Sequence, residues 1–287
     1  MKIGIGLPNP VPGTPGSAIL EYARRAERLG FHGLATIDRL VFPSYDTLAT
    51  HAAAAAATSR VQLVSNILLA PLYQPAMLAK SAASIDQLSG GRFTLGVAVG
   101  GRADDYAVAG RDLHTRGKVL DESLELMHRA WRGEPFGDGN PICPTPTNGE
   151  RVPMLFGGTT DAAIRRVVRW GAGWTAGGGG PEQAGPFMAK VRQAWQQAGR
   201  SGEPRLAALA YFSLGDDVAD QSRAYLRSYY AFLGPYADRI AEGALRTPAA
   251  IREAIAKFTD IGCTELYLDA TVPSPDQVDR LADVVFG

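Results

Sequence analysis

Several of the groups that most often announce a function are scarce in this chain of 287 residues. It has two cysteines, Cys143 and Cys263, too few for a disulfide framework or a cysteine metal cluster. A reduced, cytoplasmic protein is the simplest expectation. It has no net charge: 29 lysines and arginines balance 29 aspartates and glutamates. That balance argues against a nucleic-acid partner. No apolar run is long enough to span a bilayer, and the alanine run at 52–57 reads as a helix. The start, Met1-Lys2-Ile3-Gly4-Ile5, lacks the long apolar core of a signal peptide, so no membrane association is expected. The four histidines, His32, His51, His114 and His128, show no metal spacing, and no metal is predicted. There is no Gly-x-Ser-x-Gly elbow and no P-loop lysine, which sets aside a serine hydrolase and a nucleotide P-loop.

What the chain does have is a repeated strand–loop–helix unit. Its clearest instance is Leu88-Ser89-Gly90-Gly91-Arg92-Phe93-Thr94-Leu95-Gly96-Val97-Ala98-Val99-Gly100-Gly101. Two glycines able to take positive φ end a helix, and a strand follows with one bulky face and one nearly bare. A bare face lets a ligand or another backbone come close. Further strands are predicted at 3–7, 33–37, 61–69, 153–156, 174–176, 207–214 and 265–268, with helices between them. About eight strands in βα alternation predict a (β/α)8 TIM barrel, read as one domain over 1–287. A doubly wound open sheet is the rival. It calls for Gly-x-Gly-x-x-Gly after strand one, where Pro8-Asn9-Pro10 stands. Ser17 is the expected cap of the first helix, and the segment 133–151 reads as a long functional loop.

Barrel active sites form where strands end. The residues at those ends are Asn9, Asp38-Arg39, Ser65-Asn66, Gly100-Gly101-Arg102, Gly157-Gly158-Thr159 and the run Gly177 to Gly180. The last two precede helices, where free backbone N–H groups favour a phosphate, or else make tight turns. Arg102 and Arg116 are candidate phosphate partners or solvated arginines. Asp38 is placed to accept from a ring N–H, to orient Arg39, or to cap its loop. His114 lies between Arg111 and Arg116, and Asp104-Asp105 is a carboxylate pair in the same loop. Segment 133–151 and the aromatics Tyr229, Tyr230, Phe232 and Tyr236 are the expected walls of a substrate pocket.

The run Leu78-Ala79-Lys80, Ile85-Asp86-Gln87-Leu88-Ser89-Gly90-Gly91-Arg92-Phe93, Leu95-Gly96-Val97, Gly100-Gly101 resembles the signature of the bacterial luciferase-like family, which comprises flavin- and deazaflavin-dependent oxidoreductases. Ala26 to Phe31, Arg116 with Leu120-Asp121-Glu122, Leu155-Phe156-Gly157-Gly158 and Gly171 to Trp174 extend the likeness over most of the chain. The resemblance implies reduced FMN with oxygen, or coenzyme F-420 with hydride transfer, acting on a small organic substrate. It implies a separate flavin reductase for FMN and a possible homodimer; a non-catalytic flavin-binding barrel is the remaining alternative. It implies a cis peptide at Asn66-Ile67 beneath the ring, and Asp38 beside it. Gly100, Gly101 and Arg102 would line the cofactor. Gly157, Gly158, Thr159, Gly177 and Gly178, with Arg116, would hold its phosphate or tail. Many members carry histidine after the strand-two aspartate. Here it is Arg39, which cannot act as a base at neutral pH. His114 and Tyr106 are the substitutes in view for a proton donor.

Overall fold

The computed structural model describes residues 1–287, and short apolar strands alternate with helices through all of them. The first half runs β1 (Lys2–Gly6), α1 (Gly16–Leu29), β2 (Gly33–Thr36), α2 (Thr47–Ala57), β3 (Gln62–Ser65), β4 (Leu68–Leu69), α3 (Pro75–Leu88), β5 (Phe93–Ala98), α4 (Ala103–Val108) and α5 (Arg116–Trp131). The second runs β6 (Pro135–Phe136), β7 (Asn140–Pro141), β8 (Met154–Phe156), α6 (Asp161–Trp170), β9 (Gly173–Ala176), α7 (Pro181–Gln197), β10 (Arg205–Phe212), α8 (Ala219–Tyr229), α9 (Tyr236–Glu242), α10 (Pro248–Asp260), β11 (Glu265–Ala270) and α11 (Asp276–Phe286). Strands pair in the order β3-β2-β1-β11-β10-β9-β8-β5, and β3 with β5 closes the ring. All eight are parallel, which makes the (β/α)8 barrel expected from the alternation.

Local signals set most element ends. Gly30 stops α1 at φ 90°, and Gly90 and Gly91 turn out of α3 at φ 65° and 82°. The Thr247 hydroxyl accepts from the Ala250 amide at 3.1 Å and starts α10. Ser17 does not cap α1. That helix begins at Gly16 behind Pro15, with no side-chain cap.

Two expectations need correction. The strand predicted over 61–69 is broken: the Asn66–Ile67 peptide is cis, and Leu68–Leu69 beyond it pairs with Val97 and Ala98 of β5. The segment 133–151 does not wall the active end. It joins a helix to the start of a strand, so it lies at the opposite end of the barrel. There the Thr147 amide and hydroxyl both donate to Asp86 at 2.7 Å, Gln87 donates to the Thr145 carbonyl at 2.8 Å, and Thr147 packs against Gly91. A small hairpin, β6 with β7, occupies part of it.

Three apolar layers result. The largest, 53 buried residues, fills the space between sheet and helices. Inside the barrel sit Ala35, Val64, Leu155, Ala207 and Tyr267. Alternation along β10 and β11 puts Arg205, Leu209, Tyr211, Glu265 and Asp269 on that same inner face. The barrel floor is polar: Arg205 forks onto Glu265 at 2.6 and 2.9 Å and donates to Thr94 at 2.9 Å. A third cluster, built on Val11, Ile37, Leu209, Tyr211, Tyr225 and Tyr229, covers the other end.

Candidate active site

The covered end is the C-terminal mouth. Asn9 organises its first wall: its amide donates to the Ile37 carbonyl at 2.8 Å, tying the loop after β1 to the end of β2. Asp38 follows. One carboxylate oxygen accepts from the Leu69 amide at 2.9 Å, the other from the Tyr73 hydroxyl at 3.0 Å. Burial outweighs these two bonds and pushes its pKa up to about 6. Asp38 therefore anchors the segment beyond the cis peptide.

Arg39, next to Asp38, is held in an ion-pair network. Its guanidinium pairs with Asp104 at 2.9 Å and with Asp105 at 2.7 Å, the latter off the N–H axis. Its side chain is 5% exposed, and it packs 5.5 Å from the Phe42 ring. A cation neutralised twice has little field left for a ligand. The same pairs account for the Asp104-Asp105 doublet.

On the β3 side, Asn66 Oδ1 accepts from the Thr175 hydroxyl at 2.8 Å, across the barrel interior. Its Nδ2 is buried without a partner. Ile67 lies where a Cβ on Gly157 would come within 2.8 Å. The bare face of β5 has a clear occupant at one point. A Cβ on Gly96 would sit 2.0 Å from the Ser65 carbonyl oxygen, so the neighbouring backbone, not a ligand, requires that glycine. Gly100 takes φ 68° and faces Leu69, whereas Gly101 borders open space.

The arginines divide. Arg102 donates to the Tyr229 carbonyl and stacks on Tyr229 and Phe232, with ring centroids at 4.4 and 4.0 Å. These contacts hold it in an aromatic cage. Arg116 donates from Nη1 to the Leu113 carbonyl at 2.6 Å and keeps a buried Nε with no partner. His114 is exposed on the one-turn helix Leu113–Thr115. Tyr106 commits its hydroxyl to the Val99 carbonyl. His51 and His128 are packing residues: His51 sits 2.9 Å from the Thr36 hydroxyl, and the His128 ring lies 4.2 Å from Trp170.

The glycine runs do come together. Gly158, Thr159, Gly177, Gly178, Gly179 and Gly180 line one cavity of about 290 Å³, together with Tyr230 and Tyr236. Thr160 caps α6, but Gly180 precedes α7 with no side-chain cap, leaving first-turn amides for a ligand or solvent. Glu182 lies beside Gly180, so an anion there must displace its carboxylate.

The sequence reading missed Asp269. It is buried on the inner face one residue before β11 ends, and Oδ1 has no hydrogen-bond partner. Burial alone pushes its pKa up to about 8. The available signal is an aspartate near the end of the apolar strand Leu266-Tyr267-Leu268-Asp269-Ala270, and a strand expected only over 265–268 stops short of it.

A sequence model of the luciferase-like monooxygenase family matches residues 1–284. The chain belongs to that family. The luciferase-like barrel is 33% identical to an uncharacterized protein of Mycobacterium tuberculosis over 165 residues, 55% of this chain and 57% of that one. It is 28% identical to the F420-dependent glucose-6-phosphate dehydrogenase of Kribbella flavida over 205 residues, 64% of this chain and 61% of that one. These matches span little more than half of each relative's length. Among solved structures, the monooxygenase RslO1 from Streptomyces bottropensis superposes with TM-score 0.78 at 22% identity, covering 100% of this chain and 99% of that one. At that identity the superposition shows the shared fold alone. For this luciferase-like chain, the relatives' chemistry is thus a matter for inference from its own mouth.

Proposed function

We propose that the protein is an oxidoreductase that holds reduced FMN in the barrel mouth and acts with oxygen on a small organic substrate. The observation that carries this reading is the glycine-lined cavity beside the mouth, where two strand ends and an uncapped helix start meet. Backbone amides from Gly158, Thr159, Gly177 and Gly178 suit a phosphate; Arg116, whose buried Nε has no partner, is the charged donor that the family resemblance assigns to that phosphate. The unpartnered Asn66 Nδ2 suits a ring acceptor. The bound cofactor would supply the electron pair. The chain's own residues position it, exclude water and hold protons at Asp38 and Asp269. FMN would arrive reduced from a separate reductase.

Coenzyme F-420 with hydride transfer is the second reading, and two observations favour it. The Kribbella relative, named for F420 dependence, matches 64% of the chain. Arg102, which would have favoured a compact phosphate ligand, is caged by Tyr229 and Phe232. A titration of the protein with oxidised FMN, reduced FMN and F-420, followed by mixing the reduced-FMN complex with oxygen, separates the readings. Tight reduced-FMN binding, with the bound flavin reacting with oxygen at a rate distinct from that of free reduced FMN, supports the first. Binding of F-420 alone replaces it with the second. Arg116→Ala should weaken the bound cofactor about 10- to 150-fold, the equivalent of one charge-assisted hydrogen bond of about 1.5–3 kcal/mol. Unchanged affinity would remove Arg116 from the site.

A further inference from the structure

At the end of β11 stands a carboxyl group that the protein leaves unanswered. Asp269 is 4% exposed, and no donor reaches its Oδ1. Its register neighbour on β1 is Gly6, where a Cβ would lie 2.2 Å from that oxygen. Its neighbour on β10 is Tyr211, whose hydroxyl is 2.7 Å from that of Tyr230. Tyr225, 5% exposed, brings a second buried oxygen without a partner.

The ionisable groups facing Asp269 are phenols: Tyr211 from β10, and Tyr225 and Tyr230 from α8 and its end. β1 brings only glycine, and no cation pairs with the carboxyl; Arg102 stacks on Tyr229, Tyr230 and Phe232. An ionised carboxylate here would lose its water and gain nothing, at a cost of several kcal/mol. A neutral carboxyl keeps one O–H donor and spare acceptors. Two unpartnered buried oxygens at the catalytic end of a barrel ask for a ligand.

We propose that Asp269 is the ligand-facing acid of this barrel: a neutral carboxyl that donates a hydrogen bond to a carbonyl or hydroxyl oxygen of the molecule held in the mouth, with Tyr225 completing the site. The proposal rests on the oxidoreductase reading of the same mouth. It places an acid two strands from Asp38, in a barrel where arginine follows that aspartate. The direction of the pKa displacement agrees with it, because burial raises Asp269 into the neutral range.

The test has two readouts. Infrared titration of the ligand-free protein should show a protonated-carboxyl C=O band that persists to about pH 8 and is missing in Asp269→Asn. Binding of reduced FMN, kept anaerobic, and of F-420 should then be followed between pH 7 and 9. Wild-type affinity for the cofactor that binds should fall about tenfold across that range. Asp269→Asn, which keeps a donor, should give a flat profile, and Asp269→Leu should bind about tenfold more weakly throughout. Tyr225→Phe should keep the band and weaken binding several-fold, which preserves the test if the Asp269 variants do not fold. No band in the wild type at pH 6.5 overturns the proposal. So does a wild-type pH profile shared by Asp269→Asn. If neither cofactor binds the wild type, the functional reading fails and the ligand half of this proposal fails with it; the band still decides the proton.

Discussion

Asp38 and Asp269 stand at the same end of the barrel and differ in what answers them. Asp38 receives an amide and a phenol; Asp269 receives nothing. The difference explains why both are raised by burial but to different levels, about 6 and about 8. A hydrogen bond to the ionised form holds a pKa down, so removing one should let it rise. Tyr73→Phe deletes the phenol donor and leaves the ring. In that variant the Asp38 carboxyl, followed by its side-chain carbon resonance in NMR, should titrate clearly above about 6. An unchanged titration would mean that the Tyr73 bond does not form in solution. Arg102 and Arg116 differ in the same manner: one spends its charge on aromatic rings and a carbonyl, the other keeps an N–H in reserve.

At the scale of elements, the mouth is covered by the end of α8 and the turn Ala231–Leu233, and Arg102 fastens them. Its guanidinium lies over Tyr229 and Phe232 and bonds the Tyr229 carbonyl. Each such stack is worth about 0.5–2 kcal/mol. Arg102→Ala should therefore speed amide hydrogen exchange at residues 230–234 by about tenfold or more, while the β5 amides keep their protection. This contact also marks what the sequence could show. Strands, turns and glycine stops were legible, because each depends on a few adjacent residues. Gly30, Gly90 and Gly91 take the left-handed conformations their positions suggest. The clustering of two glycine runs followed from barrel topology. Side-chain partners were not legible. Arg102 meets a carbonyl 127 positions away and Arg39 a carboxylate 65 positions away, and no local pattern encodes either. The misplacement of segment 133–151 had another cause: length suggested function, but the connection type, helix to strand, decides which end of a barrel a loop occupies.

For the whole molecule, the barrel interior is closed at its floor by a satisfied ion pair and at its mouth by phenols around an unsatisfied acid. Against the burial penalty, the Arg205 fork and the Tyr267 hydroxyl hold Glu265 below the usual carboxylate range. Glu265→Gln leaves Arg205 inside without its counter-charge and should cost about 3 kcal/mol in urea unfolding. Asp269 has the opposite sign. Its folded pKa of about 8 exceeds the ordinary 3.8, so the folded state binds the extra proton and stability falls as pH rises between those values. Asp38 adds the same slope up to about pH 6. Burial lowers His32, His51 and His128 from 6.5, which gives a rising slope that ends near pH 6.5, where they are neutral in both states. Cys263, pushed from 9.0 up to about 12, favours the folded thiol only as the unfolded one ionises, near pH 9 and above. Between pH 6.5 and 8, Asp269 is the one of these groups still titrating differently in the two states. One proton contributes at most about 1.4 kcal/mol per pH unit, so wild-type stability should drop by about 2 kcal/mol across that window. In Asp269→Asn the drop should vanish, and the variant should equal or exceed the wild type at pH 8. Parallel slopes in urea melts of the two proteins would place the Asp269 proton elsewhere.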